Sequence, residues 1–287
     1  MSSPTDASSP NAEQVRYWNE VAGPKWVKLQ NRLDEMIGPL GAAAIDRAAP
    51  RPGERVLDVG CGCGATALEL RDRVGERGEV LGVDLSEPML ALAQSRVSGP
   101  GVRFEKADAQ TEPLPKGHFD LVFSRFGVMF FADPVAAFAN LRRALQPSGR
   151  LAFLCWQPPT RNPWVMVPLT AIADVVPLQP PPPPDAPGPF SFGDPARVER
   201  ILADAGFREV AIEALEQPMW LGGRGGSLDD VVEFALQLGP ASTALANASD
   251  EQKKRAALRI RDALAAYAVG EDVQMHAATW VVTARPA

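Results

Sequence analysis

The segment RVLDVGCGCGA, residues 55–65, constrains this chain more than any other. Five residues of strand character run into three glycines spaced two apart, Gly60, Gly62 and Gly64, and a helical pattern follows over residues 65–74. Glycine, lacking a Cβ, lets the backbone reverse tightly and lets a ligand touch the peptide planes. Free N–H groups at the start of the following helix favour a negative or polar ligand group. Such a strand–loop–helix unit reads as a nucleotide-type cradle. It does not choose the nucleotide. Gly60-x-Gly62-x-x-Ala65 also fits the relaxed dinucleotide pattern, so a nicotinamide-dependent oxidoreductase is an open alternative at this point.

The alternation continues beyond the loop. Residues 79–83 (EVLGV) form a strand ending at Asp84, and Ser86 with Pro88 opens a helix to about Val97. Residues 102–106 and 119–124 (FDLVFS) are further strands. Asp133-Pro134 opens a helix to about Leu145, and the turn Pro147-Ser148-Gly149 leads into a strand over 150–156. Strands alternating with helices imply parallel βαβ units, and strands poor in polar residues imply a sheet covered on both faces. The expected class is α/β, a doubly wound, mostly parallel sheet.

The flanks read differently. Residues 1–12 are small and polar, the signature of a disordered tail. Residues 13–50 read as an N-terminal helical lid carrying Tyr17, Trp18 and Trp26, and residues 51–157 as the core. Residues 158–193 are a proline-rich insertion whose run 180–184 favours a stiff, extended spacer. Residues 194–287 finish the sheet. Asp194-Pro195 opens a helix ended by Gly206, residues 208–215 are a strand, and residues 273–284 are a closing β run. Between them, at about 225–270, lies a helical cap with helices over 228–238 and 250–267, the second opened by a Ser249…Gln252 capping box.

Composition narrows the class. Of 287 residues, 46% are hydrophobic, enough for a packed core, and the formal net charge of -6 argues against a nucleic-acid partner. The three cysteines are too few and odd in number for a disulfide framework. Cys61 and Cys63 do not complete a zinc shell, so no metal is expected. No leader pattern is visible, and the longest apolar run, residues 164–173, contains Pro168 and stops at Asp174. No membrane span is expected, and the cytoplasm is the expected location.

The neighbours of the glycine loop choose its ligand. Asp84, twenty residues after Gly64, can accept both hydroxyls of a ribose. Asp58, two residues before Gly60, would repel a pyrophosphate and attract an ammonium group. Asp108 can accept from an adenine amino group while the N–H of Ala109 donates to the ring. The strand over 119–124 ends at the switch point of the sheet. These features favour S-adenosyl-L-methionine.

The strings VLDVGCGCG, GVDLS, KADAQTEPLPKGHFDLVFSRFGVMFF and LRRALQPSGRLAFLCW, in that order over about residues 54–157, resemble class I S-adenosylmethionine-dependent methyltransferases. The resemblance is nearest to the ubiquinone/menaquinone C-methyltransferase-like subgroup of small-molecule methylases. It implies a seven-stranded Rossmann-like sheet with the last strand antiparallel, the run from Val273 being that strand. It also implies a small-molecule acceptor. Carried over by position, Asp58, Gly60 and Gly62 would line the methionine part of the cofactor. Asp84 would bind the ribose, Leu85 and Met89 would face the adenine, and Asp108 and Ala109 would hold its edge. Ser124 and Arg125 would border the sulfonium. Many relatives carry a histidine in the segment that here reads Phe126-Gly127-Val128-Met129-Phe130-Phe131. Its absence leaves a non-catalytic, S-adenosylmethionine-binding or regulatory protein as an alternative.

Methyl transfer to an acceptor needs alignment and exclusion of water more than a base. Tyr17 is the candidate for acid–base help. Trp18, Trp26, Phe126, Phe130 and Trp164 are candidates for the acceptor wall, the N-terminal aromatics serving either as a lid over a cation or as core packing. Asp133 reads as an N-cap rather than a base. His118 reads as a solvated turn residue, and His276 as a packed or edge position.

Overall fold

A computed structural model describes residues 11–287. The tail expected over 1–12 lies mostly outside the described residues. Its last two positions are already structured: Asn11 is buried and Ala12 begins a helix. That helix, α1 (Ala12–Arg16), passes through a π-helical turn (Tyr17–Val21) into α2 (Ala22–Ala48). Pro24, with no N–H to offer the preceding turn, sits just past the π turn. The helix ends at Ala49, whose left-handed φ of 46° closes it.

The core then alternates: β1 (Arg55–Val59), α3 (Ala65–Val74), β2 (Glu79–Asp84), α4 (Glu87–Ser95), β3 (Val102–Lys106), β4 (Phe119–Arg125), α5 (Pro134–Ala144) and β5 (Leu145–Trp156). The strand expected from Arg150 starts at Leu145. The turn residues between them form an irregularity, because Phe119 pairs with Leu145 while Leu121 pairs with Arg150. After β5 come α6 (Pro163–Ala171), which continues through Pro168, then α7 (Pro195–Asp204) and β6 (Phe207–Trp220). α8 (Leu228–Gln237), α9 (Gly239–Ala244) and α10 (Asp250–Leu264) follow. β7 (Ala268–Val269) and β8 (Asp272–Pro286) close the chain. The capping box between Ser249 and Gln252 is present. The short α9 was not expected from the sequence.

The strands order as β3-β2-β1-β4-β5-β8-β6, with β7 paired to β8. β1 to β5 are parallel, and β8 runs antiparallel to both β5 and β6. This is the doubly wound, mostly parallel sheet with an antiparallel last strand. Strand order grows outward from β1 in one direction and from β4 in the other. With right-handed crossovers, that reversal sends α3 and α4 to one face and α5 to the other. α2 joins α3 and α4, while α5 packs on α7. α6, α8, α9 and α10 pack on one another, with α6 and α8 against β8. The proline run at 180–184 is exposed, yet its flank is anchored: Ser191 Oγ donates to the Met129 carbonyl at 2.7 Å and Phe192 is buried. Among the described residues no helix is long and apolar enough to cross a membrane.

One arginine ties α2 to the sheet. Arg150 of β5 donates to the carbonyls of Ala48 and Ala49 at 2.7 and 2.8 Å and makes a two-pronged pair with Glu54 at 2.9 and 2.8 Å. It thus caps the helix C-terminus, where a cation is favoured. Burial pushes the Glu54 carboxyl up, but hydrogen bonds from Arg150 and from the Arg51 backbone outweigh this and hold it low. Its stabilising share is present at neutral pH and is lost as pH falls below 4.5 through the lowered folded value. Arg150→Met should cost about 3 kcal/mol in urea denaturation at pH 7. Adding Glu54→Gln should restore part of that loss, since it removes the stranded charge; a double variant less stable than the single one would contradict the pairing.

Candidate functional site

The switch point lies between the C-terminal ends of β1 and β4. Gly60, Gly62 and Gly64 all take positive φ, at 68°, 54° and 85°. Space as well as angle demands glycine at Gly60. A Cβ there would lie 2.7 Å from the Cα of Gly127, and one on Gly127 would lie 2.7 Å from the Val59 carbonyl. Ser124 Oγ joins the two loops, donating to the Val59 carbonyl at 2.7 Å and accepting from the Gly127 N–H at 3.2 Å. The Ser124 hydroxyl is therefore a strut of the crevice, fully buried.

Asp84 closes the loop from the β2 side. Its Oδ2 accepts from the Gly62 N–H at 2.8 Å and its Oδ1 from the Ser86 N–H at 2.9 Å. Burial pushes its pKa up, while these N–H groups and that of Leu85 pull it down. A carboxylate has about four acceptor positions, so room remains for two hydroxyls. Met89 is buried with its methyl beneath Gly62, where an added Cβ would come within 2.8 Å of it. The Leu85 carbonyl accepts from Asn19 Nδ2 at 3.0 Å.

Asp58 is the most unusual residue of the site. It is 0% exposed, and neither carboxylate oxygen has a hydrogen-bond partner among the described residues. Burial pushes its pKa up to about 7, with Arg125 pulling down and Asp84 pushing up. Arg125, 12% exposed, has its ion-pair contact with Asp34 of α2, Nη2 to Oδ1 at 4.0 Å. The next residue, Phe126, takes φ of +63°, a strained value for a large side chain.

The adenine-edge positions come together differently from the expectation. Asp108 is near-buried, but the protein itself fills its carboxylate. Asn11 Nδ2 donates to both oxygens at 3.0 and 2.8 Å, with the Gln110 N–H and the Thr111 hydroxyl adding 2.9 Å bonds. Ala109 is buried and its carbonyl accepts from Asn140. The N-terminal segment also holds the β2 end. Ser86 Oγ donates to the Trp18 carbonyl at 2.8 Å, and Asn19 Oδ1 accepts from the Glu87 N–H at 2.9 Å. Nothing in the sequence pattern of Asn11 or Asn19 signals these roles, which arise from tertiary placement.

The aromatic candidates fall into two groups. Trp18 meets Tyr17, Trp26 and Phe130 edge-to-face at 5.6, 6.1 and 5.1 Å. Phe126 stacks on Trp156 at 4.4 Å, and Trp156 meets Trp164 at 4.8 Å. Trp156, at the C-terminal end of β5, was missed; its place at a strand end beside the switch point was the available signal. Tyr17 is 46% exposed, and burial pushes its phenol up, the wrong direction for a general base.

The remaining candidates have structural explanations. Asp133 caps α5, accepting from the Ala136 N–H at 3.0 Å. His118 is half-buried and bonded to Arg55 at 3.1 Å rather than solvated. His276 pairs with Glu216 at 3.2 Å on the exposed surface. Cys61 and Cys63 are buried with thiols pushed up, Cys63 to about 12.

A buried, unpartnered carboxylate beneath a glycine cradle fits a ligand that brings its own cation. The acid ending β2 fits a ribose, and the close backbone approaches leave open peptide planes rather than side chains along the path. This defines a Rossmann-like protein for an adenosine carrying a cationic amino-acid tail, as S-adenosyl-L-methionine does. Comparison with known proteins agrees. Residues 56–149 match a family described as a methyltransferase domain. Nocamycin O-methyltransferase of Saccharothrix syringae is 33% identical over 187 residues, 61% of this chain and 67% of that protein. The ubiquinone/menaquinone biosynthesis C-methyltransferase of Azotobacter vinelandii is 37% identical over 161 residues, 53% of this chain and 64% of that protein. The matched stretches thus span about two thirds of these relatives' own lengths. In fold, the YcgJ protein of Bacillus subtilis superposes with a TM-score of 0.55 over 86% of this chain and 97% of its own, at 19% identity. The chain belongs to the class I S-adenosylmethionine-dependent methyltransferases and resembles their ubiquinone/menaquinone C-methyltransferase subgroup.

The raised Asp58 has a measurable consequence. Its folded value, about 7, lies above the ordinary 3.8, so the ligand-free protein loses stability as pH rises from 3.8 towards 7. A cationic ligand needs the ionised form. Cofactor affinity should therefore fall up to about tenfold per pH unit below 7, with proton release visible as a buffer-dependent binding enthalpy. Asp58→Asn should bind weakly and flatten that profile. A profile equally steep in the variant would remove Asp58 from the site.

Proposed function

We propose that this protein transfers a methyl group to a small, partly apolar acceptor held between the two aromatic groups. The observation that supports this most is the position of Phe126. It immediately follows Arg125 at the end of β4, is held at a strained φ, and stacks on Trp156 beside the Gly60–Gly127 contact. Structures retain such strain where geometry serves a site. Trp18 from the N-terminal segment, edge-to-face with Phe130 from the turn after β4, supplies a second wall. The relatives are named for nocamycin and for ubiquinone/menaquinone biosynthesis, and both names point to small acceptors.

When bound, S-adenosyl-L-methionine supplies an electrophilic methyl carbon. The residues of this chain bind and align. Asp58, Gly60, Gly62, Ser124 and Arg125 take the amino-acid end, Asp84 the ribose, and Leu85, Met89, Asp108 and Ala109 the adenine side. For Asp108 to accept from a purine amino group, the Asn11 amide has to withdraw from it. Trp18, Trp26, Phe126, Phe130 and Trp164, joined by Trp156, exclude water and orient the acceptor. Tyr17, a phenol whose ordinary value of 10.0 is pushed further up by burial, serves as a hydrogen-bond donor at the rim.

Incubation with methyl-tritiated S-adenosyl-L-methionine and a panel of phenolic, enolic and quinol acceptors should label at least one class. Phe126→Ala should lower kcat/KM about 10- to 100-fold while leaving cofactor affinity nearly intact, because it acts on acceptor alignment. Asp84→Ala should instead abolish cofactor binding by calorimetry. A protein that binds the cofactor but labels no member of a broad panel would overturn the catalytic reading.

A further inference from the structure

Asp58 and Arg125 carry opposite charges on neighbouring strands, yet among the described residues they make no ion pair with each other. Asp58 of β1 is in register with Phe123 of β4, and Arg125 lies two residues further on the same face. An arginine and an aspartate so placed on neighbouring strands are ordinarily within reach of each other. Here both Asp58 oxygens are buried without a partner, and Arg125 donates no side-chain hydrogen bond among the described residues. Leaving a buried carboxylate unpaired while a neighbouring arginine contacts a different acid at 4.0 Å is costly, so something must hold the two apart.

α2 does so in two ways. Gly41 opens a groove for the arginine stem; a Cβ there would lie 2.8 Å from Arg125 Cδ. One and a half to two turns earlier, Asp34 draws the guanidinium head towards the helix at 4.0 Å. Asp34 is itself fixed on both oxygens. Gln30 Nε2 donates to Oδ1 at 2.6 Å and Arg96 Nη2 to Oδ2 at 3.0 Å, while Arg96 also donates to the Cys63 carbonyl inside the glycine loop at 3.0 Å. The other charges facing the pair are Asp84 from β2, Glu69 from α3 and Arg96 just past the end of α4.

We infer that Asp34 is a positioning residue that holds Arg125 away from Asp58, so that the separated charges receive the two ends of an α-amino acid. Asp58 accepts from the ammonium and Arg125 donates to the carboxylate. The inference rests on the S-adenosyl-L-methionine reading of the site and adds a residue outside the glycine loop to it. Without Asp34, Arg125 relaxes onto Asp58 and closes the socket from within.

Three ligands separate the possibilities by calorimetry: S-adenosylhomocysteine, its decarboxylated analogue, and 5′-methylthioadenosine, which lacks the amino-acid tail. The wild type should prefer S-adenosylhomocysteine to the decarboxylated analogue by more than tenfold, and Arg125→Met should lose that preference. Asp34→Asn should weaken S-adenosylhomocysteine at least tenfold while leaving methylthioadenosine, and hence the adenosine site and the fold, unchanged. Its pH midpoint for S-adenosylhomocysteine binding should move below the wild-type value, because a closed pair keeps Asp58 ionised. Gly41→Ala displaces the arginine stem by an independent route; should Asp34→Asn fail to fold, Gly41→Ala carries the test through the loss of carboxylate preference. Unaltered relative affinities and an unmoved midpoint in Asp34→Asn, or an unaltered carboxylate preference in Gly41→Ala when that variant stands in for it, would overturn the inference. If the wild type bound none of the three ligands, the cofactor reading itself would fall.

Discussion

A carboxylate buried at the centre of a parallel sheet is the constraint on which this site depends. Asp58 sits in β1 between apolar neighbours, and among the described residues no hydrogen-bond partner satisfies it. Burying an ionised carboxylate without a partner costs several kcal/mol, and a single domain has only about 5–15 kcal/mol of net stability in hand. The surroundings are arranged around that cost. Asp84 holds the glycine loop by its Gly62 N–H, and Arg125 contacts Asp34 of α2. A cation brought by a ligand would complete what these residues leave open, which is the basis of the proposed cofactor site.

A single long helix coordinates these features. From one end to the other, α1, the π turn and α2 contribute the Asn11 contact with Asp108, the aromatic wall at Trp18 and Trp26, the Asp34 anchor, and the C-terminal carbonyls held by Arg150. The candidate site and the stability of the fold are therefore mechanically connected. The π turn at Tyr17–Val21 joins the short α1 to the long α2, and such turns are common at functional positions.

The doubly wound, mostly parallel class was legible because it follows from alternation: five strands separated by helices or loops, the first running into a glycine and the second ending at an acid. The positions of the glycine loop, Asp58 and Asp84 were legible for the same reason, since each lies at or beside a strand end. What escaped was set by packing. Nothing local distinguishes Asn11 from a tail residue or Asp34 from any polar residue on a helix; only the sheet brings Asp34 to Arg125. The start of β5 was misplaced because Pro147-Ser148-Gly149 has turn chemistry, yet the irregularity in β4–β5 pairing absorbs it. The stacking of Trp156 on Phe126 escaped because Trp156 reads locally as the close of an apolar strand.

The contact between Gly60 and Gly127 has a mutational corollary. Where two loops meet backbone to backbone, neither can shift without moving the other. A side chain added at either glycine would therefore be felt in both loops at once, whereas a change at Phe130 or Trp164 leaves that backbone contact untouched.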